Sequence, residues 1–247
     1  VTRSSSPVNY WAVIPAAGIG KRMRSDIPKQ YLRLQGRTVL EHTIHRLAAV
    51  NQIKGIAIAI AKQDPYWPEQ QFDIPQSVFH AAGGDERCHS VLSALDTLQS
   101  HGANANDWVL VHDAARPCVR RSDIDLLMAA VTVGGQGGLL AIPVRDTMKQ
   151  ANSSLCVEKT IERSNLWHAL TPQMFRLQEL HTALTIALRD GYLVTDEASA
   201  MEYAGQQPLL VEGHSDNIKI TRPEDLALAE FYLQNQSDLT TIMDDGE

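Results

Sequence analysis

Lys21, Arg22, Arg24 and Lys29 crowd just beyond the segment Pro15-Ala16-Ala17-Gly18-Ile19-Gly20, and Pro28 stiffens the approach to Lys29. Small residues let a backbone come close to a ligand, and their N–H groups can hold phosphate oxygens. Cations beside such a loop suit phosphoryl or nucleotidyl transfer, in which charge gathers on the transferred phosphorus. The order of residues matches neither a P-loop nor the dinucleotide fingerprint. Taken alone, Gly18-Ile19-Gly20 also reads as a tight turn, and the cations as a solvated basic patch.

Three later segments carry polar groups of the same kind. Ala82-Gly83-Gly84-Asp85-Glu86-Arg87-Cys88-His89-Ser90 places glycines and acids before a helical pattern. It reads either as a loop closing over a polar ligand or as a plain strand-to-helix turn. In Val109-Leu110-Val111-His112-Asp113-Ala114-Ala115-Arg116-Pro117, Asp113 follows a buried apolar run. A carboxylate there can help hold a magnesium ion that phosphates also bind. Arg116 is spaced to take a phosphate, or Asp113 and Arg116 pair to pin the loop. His112 has no companions at zinc-site spacing. Val211-Glu212-Gly213-His214-Ser215-Asp216-Asn217-Ile218-Lys219-Ile220-Thr221 adds Asp216 as a second candidate metal ligand. Thr195-Asp196-Glu197 reads as a helix cap with a structural role.

These groups need a scaffold that brings loops together. The pattern predicts strands at Trp11 to Pro15, Ile56 to Ile60, Val78 to His80, Trp108 to Val111 and Leu139 to Ile142. Helical spacing alternates with them over Thr38 to Val50, Glu86 to Leu98 and Ile124 to Val131. That alternation predicts a doubly wound, Rossmann-like α/β fold with a mostly parallel sheet, whose ligands sit at the carboxyl ends of the strands. After Pro143 the pattern turns polar, and 144–165 reads as two extended strands of a protruding arm. Helices follow at Leu177 to Leu188 and Glu197 to Tyr203, late strands at Leu209 to Val211 and Ile218 to Ile220. A last helix opens at Pro223 with Thr221 as its cap.

The 247 residues are expected to form one domain, 1–247, with the arm as a subregion. The net charge of −7 argues against a nucleic-acid partner. Cys88, Cys118 and Cys156 make no close-spaced pair, which argues against a disulfide scaffold or a structural zinc site. Val1 to Asn9 lacks the apolar stretch of a secretory signal, and no apolar run is long enough to span a bilayer. A cytoplasmic protein with no membrane partner is the expectation.

The strand followed by Pro-Ala-Ala-Gly-x-Gly-x-Arg-Met and Pro28-Lys29-Gln30-Tyr31, then Gly-Gly-x-x-Arg-x-x-Ser, His-Asp-Ala-Ala-Arg-Pro and the closing Asp216 to Thr221 run, resembles the 2-C-methyl-D-erythritol 4-phosphate cytidylyltransferases. The likeness runs from about Tyr10 to about Leu233. It implies a nucleotidyltransferase-type fold and transfer of a cytidylyl group from CTP to methylerythritol phosphate, releasing pyrophosphate. It implies Mg2+ as cofactor and a homodimer made through the arms. Arg22 and Lys29 would be catalytic, and Pro15, Ala16, Ala17, Gly18, Gly20, Gly84, Asp85 and Ser90 would bind the nucleotide, the last three at the base. Asp113, Arg116, Thr147, Arg163, Thr171 and Lys219 would surround the acceptor, with Thr147 and Arg163 reaching across the dimer. Asp113 and Asp216 would place the metal. A CTP-dependent transferase acting on ribitol phosphate, or a non-catalytic nucleotide-binding regulator, are the competing readings.

Overall fold

A computed structural model describes residues 8–18, 23 and 25–244. Its first strand, β1 (Tyr10–Pro15), takes an interior place in a seven-stranded sheet because nearly every side chain in it is apolar and can be covered from both faces. Two short strands, β2 (Arg33–Leu34) and β3 (Arg37–Thr38), form a small separate hairpin. There follow β4 (Ile53–Ile60), β5 (Ser77–Ala82), β6 (Trp108–Val111) and β7 (Gly138–Pro143). The arm strands are β8 (Met148–Ala151) and β9 (Val157–Ile161), and the last two are β10 (Trp167–Arg176) and β11 (Leu209–Glu212). The sheet order is β11-β7-β10-β6-β1-β4-β5, with β10 antiparallel to both its neighbours and every other pairing parallel.

Strand alternation sorts the core into two layers. Ala12 and Ile14 face Leu40, Ile44 and Leu47 of α1 (Val39–Ala48) and Ile124, Leu127 and Val131 of α3 (Arg121–Gly134). Trp11 and Val13 face the other way. They join Val91, Leu95 and Leu98 of α2 (Arg87–Ser100), Leu180 and Leu184 of α4 (Leu177–Arg189), and Met201 of α5 (Glu197–Tyr203). The last helix, α6 (Pro223–Asp244), brings Ala229 and Leu233 against Val39, Ala115, Cys118 and Ile220 in a third cluster. No helix among the described residues is long and apolar enough to cross a membrane.

The caps follow the side chains nearby. Thr38 and Glu41 close a capping box at α1, and Asp196 with Ser199 does the same at α5. At α6 the direction is the reverse of the expected Thr221 cap. Asp225 Oδ2 accepts from the Thr221 N–H, the Thr221 hydroxyl and the Arg222 N–H, so the acid of the first turn ties down the incoming chain. The expected strand at Ile218 to Ile220 does not form. Ile220 N–H donates to the Ala115 carbonyl, and its side chain is buried in the α6 cluster, so the segment packs as a loop. The arm is the predicted pair of extended strands, antiparallel and largely exposed.

Candidate active site

The parallel strands β1, β5 and β6 end on the same side of the sheet, and the loops that leave them enclose a cavity of about 500 Å³. Its wall comes from Pro15, Ala16, Ala17 and Gly18 after β1, from Gly84, Asp85, Glu86, Arg87 and Ser90 around the start of α2, and from Asp113, Ala114 and Ala115 after β6. Lys29, Gln30 and Lys219 complete it. The loops can meet because Gly83 has no side chain. A Cβ there would lie 2.2 Å from the Ala17 Cβ and 2.9 Å from the Ile60 carbonyl oxygen. Gln30, buried, holds the first loop by donating from Nε2 to the Ala16 carbonyl at 2.8 Å. Ser90 Oγ accepts from the Gly84 N–H at 3.1 Å and so fixes the second.

Asp113 is the electrostatic centre. Its Oδ1 meets Arg87 Nε at 2.9 Å, and its Oδ2 meets Lys219 Nζ at 2.8 Å and Arg116 Nε at 3.6 Å. Burial by itself would raise the carboxyl, but Arg87, Lys219 and Arg116 outweigh it and hold it well below the usual carboxylate range. Arg87 is gripped from behind by Glu197, fully buried, through Nη1–Oε1 at 2.5 Å and Nη2–Oε2 at 3.0 Å. Burial disfavours the guanidinium charge, yet Glu197 first and Asp113 second overcome this and keep it charged. Lys29 Nζ donates to the Ile220 carbonyl at 2.9 Å, beside the Lys219 that reaches Asp113.

Behind the cavity wall a hydrogen-bond chain sets the direction of Asp113. The Asp113 N–H donates to Thr171 Oγ1 at 3.1 Å, which bonds His112 Nδ1 at 2.9 Å. His112 Nε2 meets the Arg116 carbonyl at 3.0 Å. A carbonyl can only accept, so Nε2 carries the proton and Nδ1 accepts from the Thr171 hydroxyl. Thr171 reaches this place because β10 bulges. Ala169 pairs with Ala141 and Gln173 with Leu139, so the strand spends extra residues, Thr171 and Pro172 among them, against a short stretch of β7.

Burial pushes the His112 imidazole down to about 4. A histidine held neutral in the fold binds its proton more readily in the unfolded chain, so stability is complete above about pH 6.5 and falls as the pH drops from there toward 4. Thermal unfolding from pH 8 to pH 4 is expected to show this decline. In His112→Gln the slope between pH 6.5 and 4 should shrink, whereas an unchanged slope would assign it to other groups.

The structure therefore gathers Pro15, Ala16, Ala17, Gly18, Lys29, Gly84, Asp85, Ser90, Asp113 and Lys219 onto one wall. It places Arg116 behind that wall, where Nη1 donates to the Asn217 carbonyl at 2.6 Å, and Thr171 beneath Asp113. Thr147 and Arg163 flank the arm strands and are exposed. Gly20 and Arg22 lie outside the described residues. Asp216 does not join Asp113. It lines a separate cavity of about 240 Å³ with Arg120, His214 and Tyr232, and its Oδ2 pairs with Arg120 Nη2 at 2.6 Å and accepts from Gln236 at 2.9 Å. The closing segment turns Asp216 toward α6 and away from the wall that carries Asp113. Sequence reading missed Gln30 and the Arg87–Glu197 clamp. Arg87 stands in the Gly-Gly-x-x-Arg pattern, which could have drawn attention to it, while nothing local marks Glu197.

A sequence model of the 2-C-methyl-D-erythritol 4-phosphate cytidylyltransferase family matches residues 10–235. The enzyme of that name from Aliivibrio fischeri strain MJ11 is 54% identical over 230 residues, covering 93% of this chain and 96% of its own. That from Pseudomonas putida strain F1 is 54% identical over 217 residues, covering 88% and 92%. The crystal structure of the Francisella tularensis enzyme superposes with a TM-score of 0.78 at 37% identity, covering 91% of this chain and 99% of its own.

Proposed function

The chain belongs to the 2-C-methyl-D-erythritol 4-phosphate cytidylyltransferase family, and from that premise we propose that the cavity at the ends of β1, β5 and β6 holds CTP. The chain is a CTP-dependent nucleotidyltransferase that makes 4-diphosphocytidyl-2-C-methyl-D-erythritol and pyrophosphate. A phosphate oxygen of the acceptor attacks the α-phosphorus of CTP, the new phosphoanhydride bond forms, and the α–β bond breaks. The acceptor phosphate is already ionised near neutral pH, so positioning and charge stabilisation suffice without a strong base.

The observation that carries the assignment of the site is the ring of fixed charge on one wall: Lys29 and Lys219 beside the β1 loop, with Asp113 held ionised between Lys219 and Arg87. Lys29 and, beyond the described residues, Arg22 offset the charge that develops at the α-phosphate. The N–H groups of Ala16, Ala17 and Gly18 take phosphate oxygens. Gly84, Asp85 and Ser90 form the base wall. Lys219 lies within reach of the acceptor phosphate, and Arg116 acts through Asp113.

Nucleotidyltransferases of this kind typically use a divalent metal, and we assign Mg2+. Asp113 fits one, since a carboxylate offers about four lone-pair directions and Arg87 and Lys219 do not exhaust them. Mg2+ is commonly held by one or two carboxylates together with substrate phosphates, and when bound it would neutralise charge on the phosphoryl oxygens. Thr147 and Arg163 on the arm fit a homodimer in which each subunit completes its neighbour's acceptor site. The exposed Met148, Leu155 and Val157 would be covered there, as two lone strands are marginal without support. Buried free Cys88 and Cys118 suit a reducing, cytoplasmic setting.

Pyrophosphate release with CTP, UTP, ATP and GTP against a panel of acceptors, ribitol phosphate included, tests the assignment. CTP is expected to exceed UTP in kcat/KM by about 10-fold or more, the cost of a polar base edge left unpaired. Equal use of UTP would remove Gly84, Asp85 and Ser90 from base recognition.

A further inference from the structure

The first turn of α2 brings together three side chains that the transfer reaction does not need as ligands. Glu86, Cys88 and His89 offer a carboxylate oxygen, a sulfur and an imidazole nitrogen that all lie within 4.8 Å of one another. Among the described residues no other trio of His, Cys, Asp or Glu gathers so closely. Helix geometry explains the meeting. Glu86 is the residue before the helix and His89 comes three later, the spacing at which a cap and the third helical side chain approach each other.

A side chain at the Glu86 position ordinarily accepts a helix N–H, yet the Glu86 carboxylate makes no capping bond. Its Oε2 instead meets Cys88 Sγ at 3.8 Å. Sulfur at about 2.3 Å and oxygen at about 2.0 Å from a tetrahedral zinc ion stand roughly 3.5 Å apart, so this pair needs only a small adjustment. Cys88 is buried while Glu86 and His89 are exposed, which shields the soft ligand and leaves an open side. One thiolate, one imidazole and one carboxylate form a donor set suited to zinc and poorly matched to magnesium.

We propose that Glu86, Cys88 and His89 bind a zinc ion, and that its binding reshapes the adjacent base wall and weakens CTP binding. On binding, the Cys88 S–H bond ionises, the thiolate becomes the ligand and the proton passes to the buffer. The coupling has a steric cause. Glu86 is part of the cavity wall. Gly84 presses so closely on His89 that a Cβ there would lie 2.3 Å from the His89 Cβ. Glu86 directly follows Gly84 and Asp85 on that wall, so seating Glu86 and His89 on one ion shifts the start of α2 and, through it, the wall. The effect on CTP rests on the proposed nucleotide site; the zinc site itself does not.

Zinc affinity is measured first without nucleotide, by competition with a chromophoric chelator, for the wild-type chain, Cys88→Ala and His89→Gln. One ion per chain is expected for the wild type. Each variant should bind more weakly by more than the roughly 10–100-fold that loss of an outer partner costs a zinc site. Cobalt should give a thiolate charge-transfer band that Cys88→Ala abolishes. Wild-type affinity in either variant, or no such band, overturns the site. His89 is exposed, so its variant keeps the test valid if loss of buried Cys88 harms folding. In the transfer assay at saturating magnesium, zinc should raise the KM for CTP in the wild type and not in the variants, whose activity without zinc is unchanged. Equal inhibition of all three proteins overturns the coupling. Absence of activity toward every acceptor would instead count against the proposed function, leaving the chelator titration to decide the zinc site.

Discussion

Lys29→Ala is expected to lower kcat by about 30-fold or more, corresponding to about 2 kcal/mol of lost transition-state stabilisation. The fold should change little. Lys29 contributes a hydrogen bond to the Ile220 carbonyl at the cavity wall, a loss of about 1 kcal/mol, and for a chain of this size that is a drop of roughly 2–4 °C in Tm. The contrast between the two readouts is the test. A kcat near that of the wild type beside a lowered Tm would make Lys29 a structural tie. The same variant tests the shared site. Mixed with Arg163→Ala, it should form dimers in which one site carries both defects and the other neither. Random exchange then restores up to about a quarter of wild-type activity, because half the dimers are mixed and each has one intact site. No recovery in dimers proven mixed by mass would place Arg163 in its own subunit's site.

Glu197→Ala should be the most destabilising single change at the site. It leaves the Arg87 guanidinium, with its side chain only 27% exposed, without the carboxylate that grips it from behind. Breaking such a pair costs about 3 kcal/mol once partial solvent access is allowed for, roughly a 10 °C loss in Tm. Turnover should also fall, since Arg87 then no longer holds Asp113 Oδ1 in place. Arg87→Met combined with Glu197→Ala separates the two effects. Removing both charges is expected to recover much of the stability and none of the activity. Recovery of activity in the double variant would show that the Arg87–Asp113 contact is dispensable.

The loops after β1, β5 and β6 were legible because each follows an apolar run that ends in small or charged residues, and parallel topology dictates that such ends converge. The cap at Asp196 was legible for a similarly local reason. What escaped notice depends on long-range pairing. Pro172 within Trp167 to Arg176 breaks the look of a strand, and His168, Thr171 and Gln173 dilute its apolar pattern, so the strand that joins β6 to β7 was hidden. Ile218 to Ile220 has strand composition, yet its apolar side chains go to α6. No pattern near Glu197 announces a partner at Arg87, because the two residues stand 110 positions apart, with β6 to β10, α3 and α4 between them. For Asp216, the choice between two cavities turns on Arg120, whose role only packing reveals.

The position of β10 also orders the growth of the molecule on the ribosome. β1, β4, β5 and β6 pair among themselves, and all four have been synthesised once Val111 is added. β7 is different: both strands that flank it in the sheet, β10 and β11, come later in the chain. The apolar run Gly138–Pro143 therefore leaves the exit tunnel with neither edge occupied and waits for Arg176 before its first partner is whole. An unpaired apolar edge is a template for the wrong strand of another nascent chain. The polar residues of the arm, which follow β7 directly in the chain, thus add no second apolar edge during the interval when β7 is unprotected.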